Sequence, residues 1–240
     1  MNNKLDKLNV KIFADGADKN KMIEMNNKKF ISGLTTNPTL MRKSGINDYK
    51  EFCLDILKTI TEKPISFEVF SDDFVEIEDQ ATEISSWGSN VYVKIPVMNT
   101  KKETCYKTIQ KLSKNGVKLN VTAVMTLNQV NDIINNLDPS VNSYVSIFAG
   151  RIADTSIDPI PIMEEALKIM SQNIKSELIW ASPRELLNIF QANEIGCHII
   201  TVTPSIIDKL NLIDYDLNEY SLDTVKMFFN DAKKAGYKLD

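Results

Sequence analysis

Lys94 stands between Val93 and Ile95 and is followed at once by Pro96. Burying an unpaired ammonium is expensive, so a lysine in that setting is either held in an ion pair or kept partly neutral. A neutral lysine amine is a nucleophile towards a carbonyl carbon. Asp15 and Glu68 are the carboxylates that could pair with it. The residues alone leave both roles open, nucleophile or structural ion pair.

Arginine is scarce: Arg42, Arg151 and Arg184 are the three in a chain with 28 basic residues. Two of them follow apolar runs directly, in Ala149–Gly150–Arg151 and Ser182–Pro183–Arg184. A chain that otherwise uses lysine keeps arginine where a planar, bidentate fork is useful, as for phosphate; a pair of rim salt bridges is the plainer explanation. Arg42 lies in a polar stretch with Lys43 and Ser44 and reads as surface. His198 is the single histidine and sits in an apolar stretch, so it reads as a packed core residue, and no metal site is expected. Cys53, Cys105 and Cys197 form no CxxC pattern, which fits reduced thiols in the cytoplasm.

These groups sit on a repeating frame. Eight short β-branched runs recur: Lys11–Asp15, Gly33–Asn37, Ile65–Phe70, Asn90–Ile95, Lys118–Val124, Ser143–Ala149, Glu177–Ser182 and Cys197–Thr203. Between them apolar residues return at helical spacing, as in Phe74, Ile77, Ala81 and Ile84, in Val130, Ile133, Ile134 and Leu137, and in Phe52, Ile56, Leu57 and Ile60. Alternating strands and helices predict a parallel sheet, and eight repeats predict closure into one (β/α)8 TIM barrel, an α/β fold spanning 1–240 as a single domain. No GxGxxG or Walker loop follows the first run, which argues against an open dinucleotide-binding sheet, and no cofactor is expected.

Strand alternation aims the polar groups. Val91, Val93 and Ile95 share one face, and Tyr92 and Lys94 the other, which points Lys94 into the barrel. The same parity turns Asn120 and Thr122 inward, with Leu119, Val121 and Ala123 outward. Ser146 and Phe148 oppose Val145 and Ile147, and Ser182 opposes Ile179 and Ala181. Asp15, Asn37 and Glu68 lie at or near strand ends, so the polar groups converge on the C-terminal rim.

Taken in order, the segments FADGA (13–17), GLTTNPTL (33–40), SFEV (66–69), VYVKIP (91–96), NVT (120–122), YVSIFAGR (144–151) and ASPR (181–184) resemble the transaldolase family, which includes the small fructose-6-phosphate aldolases. The resemblance runs from about Val10 to the end. It implies a Schiff base between Lys94 and a ketose carbonyl, with Asp15 as the acid/base at the bond that breaks. It implies that Glu68, Thr122 and a water move protons during formation and hydrolysis of the Schiff base. Asn37, Asn120 and Ser146 would hold the dihydroxyacetone portion, and Arg151, Ser182 and Arg184 the phosphate. Gly16, Pro183 and the stretch 155–161 depart from the family pattern, and they bear on the substrate rather than on the lysine.

Three activities follow as alternatives: a transaldolase moving a three-carbon unit between sugar phosphates, an aldolase releasing free dihydroxyacetone, or a barrel that binds or isomerises a sugar phosphate without aldol chemistry. Phe148 and Glu68 match the transaldolases, since the fructose-6-phosphate aldolases carry Tyr and Gln there. A net charge of −4 with no basic cluster argues against nucleic acid, and no apolar run is long enough to span a bilayer. A final amphipathic helix is expected over 221–238, with Leu222, Val225, Phe228, Phe229, Ala232 and Ala235 on one broad face. It packs either on its own barrel or, as the resemblance implies, across a neighbour in a ring-type homo-oligomer.

Overall fold

Strands buried on both faces need apolar side chains towards the helices and a filled interior, and the chain supplies both. A computed structural model describes residues 4–239. Among them lie β1 (Lys11–Asp15), β2 (Ile31–Thr35), β3 (Ile65–Glu68), β4 (Val91–Pro96), β5 (Leu119–Val124), β6 (Ser143–Ile147), β7 (Ser176–Trp180) and β8 (Ile199–Val202). Each strand pairs in parallel with the next, and β8 returns to β1, which closes a single-domain (β/α)8 barrel. The helices are α1 (Lys19–Asn27), α2 (Pro38–Lys43), α3 (Tyr49–Leu57), α4 (Phe74–Ser86), α5 (Tyr106–Lys114), α6 (Leu127–Asn136), α7 (Ala149–Ala153), α8 (Ile160–Met170), α9 (Leu187–Glu194), α10 (Pro204–Ile207) and α11 (Leu217–Ala235).

The outward strand residues, Val91, Val93 and Ile95 among them, join Ile77, Ala81 and Ile84 of α4 and Val130, Ile133 and Ile134 of α6 in one core. Helix starts are fixed locally: Asp18, Asp48 and Asp73 cap α1, α3 and α4, and Thr126 forms a capping box with Gln129 before α6. Ile60, expected on the third helical stripe, falls beyond α3 yet is fully buried.

A second cluster fills the barrel: Phe13, Tyr92, Tyr144, Ile179, Ala181 and Ile199, with Phe148 against it. The Tyr92 and Tyr144 rings stack with centroids 4.0 Å apart, and Phe13 meets Tyr144 edge-on at 5.8 Å. A Cβ on Gly33 would lie 2.5 Å from the Phe13 ring, so β2 needs a glycine where that ring crosses. This aromatic plug closes the lower half of the interior and leaves the polar groups above it at the C-terminal ends of the strands.

Parity fails at two places. Ile179 and Ala181, expected outward, belong to the interior cluster, while Leu178 and Trp180 pack outward. Ser182 still reaches the mouth because its φ of 59° reverses the alternation at that residue. Ala123, also expected outward, has φ 60° at the register shift between β5 and β6 and borders the mouth.

His198 is half-buried rather than fully packed: its Nδ1 accepts from the Leu178 amide at 3.0 Å, and burial holds its pKa below the usual value. Among the described residues Cys53, Cys105 and Cys197 are buried free thiols, and no helix is long and apolar enough to cross a membrane.

Helix α11 starts four residues earlier than the sequence pattern indicates, at the Asp216 cap, and ends at Gly236 in the left-handed conformation. None of its residues is buried, and Leu222, Val225, Phe228 and Phe229 are exposed. Packing on its own barrel is therefore not what this chain does.

Candidate active site

One cavity of about 550 Å³ opens at the C-terminal end of the barrel. Its wall includes Asp15, Asn37, Glu68, Lys94, Asn120, Thr122, Ser146, Phe148, Arg151, Ser182 and Arg184. The structure thus brings every site residue expected from the sequence to one place, although they come from five strands, β1 and β3 to β6, and from the segments after β2, β6 and β7.

Lys94 is buried, and strand register sets it beside Glu68 on β3 and Asn120 on β5. Its Nζ lies 3.0 Å from Glu68 Oε2 and donates to the Thr36 carbonyl at 2.9 Å. An ammonium has three N–H donors, so these two contacts leave one for the cavity. The pairing with Glu68 realises the ion-pair alternative, and it also puts a proton acceptor directly on the amine. Such a buried pair can pass a proton between its members, which a surface pair in bulk water has no need to do. The main chain at Glu68 is held from behind, since Tyr49 Oη donates to its backbone carbonyl at 2.7 Å.

Asp15 ends β1 and accepts from Thr35 Oγ1 at 2.8 Å. Burial pushes its carboxyl above the ordinary value, and the Lys94 charge and the Thr35 hydrogen bond only partly offset this. A carboxylate whose pKa burial raises holds a proton more readily than an exposed aspartate does, which suits a group that must accept one and return it.

The amide of Asn120 is oriented from both sides. Its Nδ2 donates to Ser66 Oγ at 3.0 Å, and Ser146 Oγ donates to its Oδ1 at 2.7 Å. Asn37 caps α2, where its Oδ1 accepts from the Leu40 amide at 3.0 Å, so its NH2 group is the part left for a ligand. Thr122 Oγ1 is buried in the cavity wall with no protein partner.

The other side of the mouth is built differently. Arg151 lies on α7, exposed, with its guanidinium 5.9 Å from the centre of the Phe148 ring. Arg184 is also exposed, and it is forked onto Asp154, Nε to Oδ1 at 3.1 Å and an Nη2 contact to Oδ2. The start of α7 presses on the end of β7 so closely that a Cβ on Gly150 would lie 1.6 Å from the Ser182 carbonyl oxygen, and only glycine fits.

Several residues here are absent from the sequence reading. Ser66 shares the parity of Glu68, Thr35 that of Asn37 and Thr201 that of Ile199, so alternation could have found them. Asp154 and Lys43 also belong to the mouth, Lys43 in its wall and Asp154 through Arg184. Nothing in the local sequence signals Asp154, thirty positions before the arginine it binds.

A family model described as Transaldolase/Fructose-6-phosphate aldolase matches residues 12–240. The chain is 33% identical over 231 residues to a protein named "Probable transaldolase" from Thermoanaerobacter sp., covering 96% of this chain and 100% of that one. A "Probable transaldolase" of Dehalococcoides mccartyi is 34% identical over 194 residues, 80% of this chain and 86% of the other. Among solved structures, a KGPDC from Streptococcus mutans matches with a TM-score of 0.59 and 8% identity, over 85% of this chain and 92% of that chain, a likeness of fold alone.

Proposed function

This chain belongs to the transaldolase/fructose-6-phosphate aldolase family, and we propose that it transfers a dihydroxyacetone unit between sugar phosphates through a Schiff base on Lys94. The observation that carries this reading is the buried Lys94–Glu68 pair at 3.0 Å, opening on a polar cavity that also holds Asp15.

The steps follow from proton accounting. Glu68 takes a proton from the ammonium, and the neutral Nζ adds to the ketose C2 carbonyl. The carbinolamine hydroxyl leaves as water with a proton returned from Glu68, and the Thr122 hydroxyl, buried without a protein partner, holds that water in this scheme. The resulting iminium draws the electron pair of the C3–C4 bond towards nitrogen. Asp15 accepts the proton of the C4 hydroxyl as that bond breaks, so the leaving fragment departs as an aldehyde and an enamine stays on Lys94. An acceptor aldehyde then runs the sequence in reverse. Asn37, Asn120 and Ser146 offer donors and acceptors for the hydroxyls of the three-carbon unit, and Arg151, Ser182 and Arg184 face the phosphate end.

Transfer rather than release is favoured by Phe148. It borders the cavity with a phenyl ring that offers no hydrogen bond to a hydrolytic or protonating water, so the enamine persists until an aldehyde arrives. Borohydride reduction in the presence of fructose 6-phosphate is expected to add a reduced ketose to the Lys94 peptide, and Lys94→Ala to abolish the adduct. A label on another lysine would overturn the assignment to Lys94, and no label at all would leave a barrel that binds or isomerises sugar phosphates.

A further inference from the structure

Asp15 stands at the end of a chain of two hydroxyls, Thr35 and then Thr201, that have no part in the steps proposed for Lys94. Strand β1 runs between β2 and β8, so inward side chains of both neighbours flank it. Thr35 is the register partner of Asp15 on β2, and Thr201 on β8 pairs with Phe13, two residues before Asp15 on the same face. Thr35 Oγ1 donates to Asp15 Oδ1 at 2.8 Å and stands 2.5 Å from Thr201 Oγ1. Both threonines are buried, at 2% and 7% exposure. The charged groups facing Asp15 are Lys94 from β4 and Glu68 from β3.

A hydroxyl has one proton to give and can also accept. While Asp15 is ionised, the Thr35 proton is committed to the carboxylate, so the short contact on its other side requires Thr201 to donate. Once Oδ1 carries a proton, the acid donates to Thr35, and Thr35 turns its own proton to Thr201. The three groups keep two hydrogen bonds in either state, and no heavy atom moves.

We propose that Thr201 is a positioning residue for Asp15, acting through Thr35, whose hydroxyl reverses direction each time Asp15 takes up or returns the proton of the C4 hydroxyl. This deepens the Schiff-base reading and rests on it. Without Thr201, ionised Asp15 keeps its bond from Thr35. Protonated Asp15 strands the Thr35 hydroxyl proton in a buried site, and an orphaned buried donor is worse than an acceptor short of one partner. The proton-bearing state is the one raised in energy.

Thr201→Val keeps the side-chain shape and deletes the hydroxyl, and Thr201→Ser restores it. In Thr201→Val the cleavage step should slow on the order of tenfold. The acid limb of its pH profile should shift to lower pH. Borohydride trapping on Lys94, which precedes the Asp15 step, should proceed at the wild-type rate, and Thr201→Ser should recover both rate and profile. Equal loss of trapping and cleavage, an unmoved acid limb, or wild-type behaviour of Thr201→Val would overturn the proposal while the Lys94 adduct still stood. Absence of the adduct from the wild type would instead remove the reading beneath it.

Discussion

The two sides of the mouth are made of different material. On the lysine side, Lys94, Glu68, Asn120, Ser146 and Asp15 project from strands, and each has a partner at hydrogen-bonding distance. On the arginine side, Arg151 and Arg184 project from the segments after β6 and β7 and stand in solvent, one over a ring and the other on a carboxylate. Groups fixed by a closed barrel hold their geometry against water and keep strong electrostatic coupling. Exposed groups adapt, and their ion pairs are worth little. Such a division suits chemistry that stays constant on one side and a substrate end that can vary on the other.

The sharpest separation is expected from Asp15→Asn, which should slow cleavage by roughly 10²–10⁴-fold, the usual contribution of a positioned acid/base. The same change should stabilise the fold. Burial raises the Asp15 carboxyl above its ordinary value of 3.8, so folding takes up a proton between that value and the folded one. Stability therefore falls as pH rises through this window, and the penalty is complete above it. Thermal unfolding of Asp15→Asn at neutral pH should show a gain of roughly 2–4 °C that disappears below pH 3.8, where both states are protonated. A loss of stability at neutral pH would mean that the carboxylate supports the lysine side instead of straining it.

A smaller effect, confined to one class of substrate, is expected across the mouth. Arg184→Lys loses the bidentate fork and should raise KM for phosphorylated donors about tenfold, with little change for free dihydroxyacetone. Asp154→Ala should move KM for the same donors the other way by about two- to fivefold, since an exposed carboxylate no longer competes for the guanidinium. If Asp154→Ala instead mimics Arg184→Lys, the carboxylate aims the arginine, and the two sides are built more alike than their exposure indicates.

Phe148 lies where the sides meet, touching the interior cluster and the Arg151 guanidinium. The smallest change is expected here: Phe148→Tyr should raise acceptor-free release of dihydroxyacetone by a few-fold, by offering a phenol to a water. Assay of fructose 6-phosphate cleavage with and without an acceptor aldehyde measures it. Slowing of both reactions together would mean that Phe148 only fills space, and rapid acceptor-free cleavage by the unaltered protein would make it an aldolase.

How much of this was legible in advance depends on which physical regularity each residue obeys. Strand parity is local and has period two, so the inward aim of Lys94, Asn120, Thr122 and Ser146 can be read from their immediate neighbours. Parity gave the wrong face for Ile179, Ala181 and Ala123. Positive φ at Ser182 and Ala123 resets the alternation at the strand ends, and neither residue type announces such a conformation.

The sequence by itself determined the eightfold alternation of strand and helix, the end of the barrel at which polar groups collect, and the family. All of these follow from patterns within about ten residues or from motifs in fixed order. Only the tertiary structure decided who touches whom. Glu68 rather than Asp15 took the lysine because β3 is the strand next to β4, whereas β1 lies across the barrel. Asp154 found Arg184 because the segments after the paired strands β6 and β7 lie side by side, and Thr201 found Thr35 across 166 positions because closure sets β8 beside β1. Helix α11 has the same apolar patterning as a packed helix, yet none of its residues is buried. Amphipathic spacing specifies a face, and the closed ring of strands and helices, complete without α11, decides whether anything in the same chain covers it.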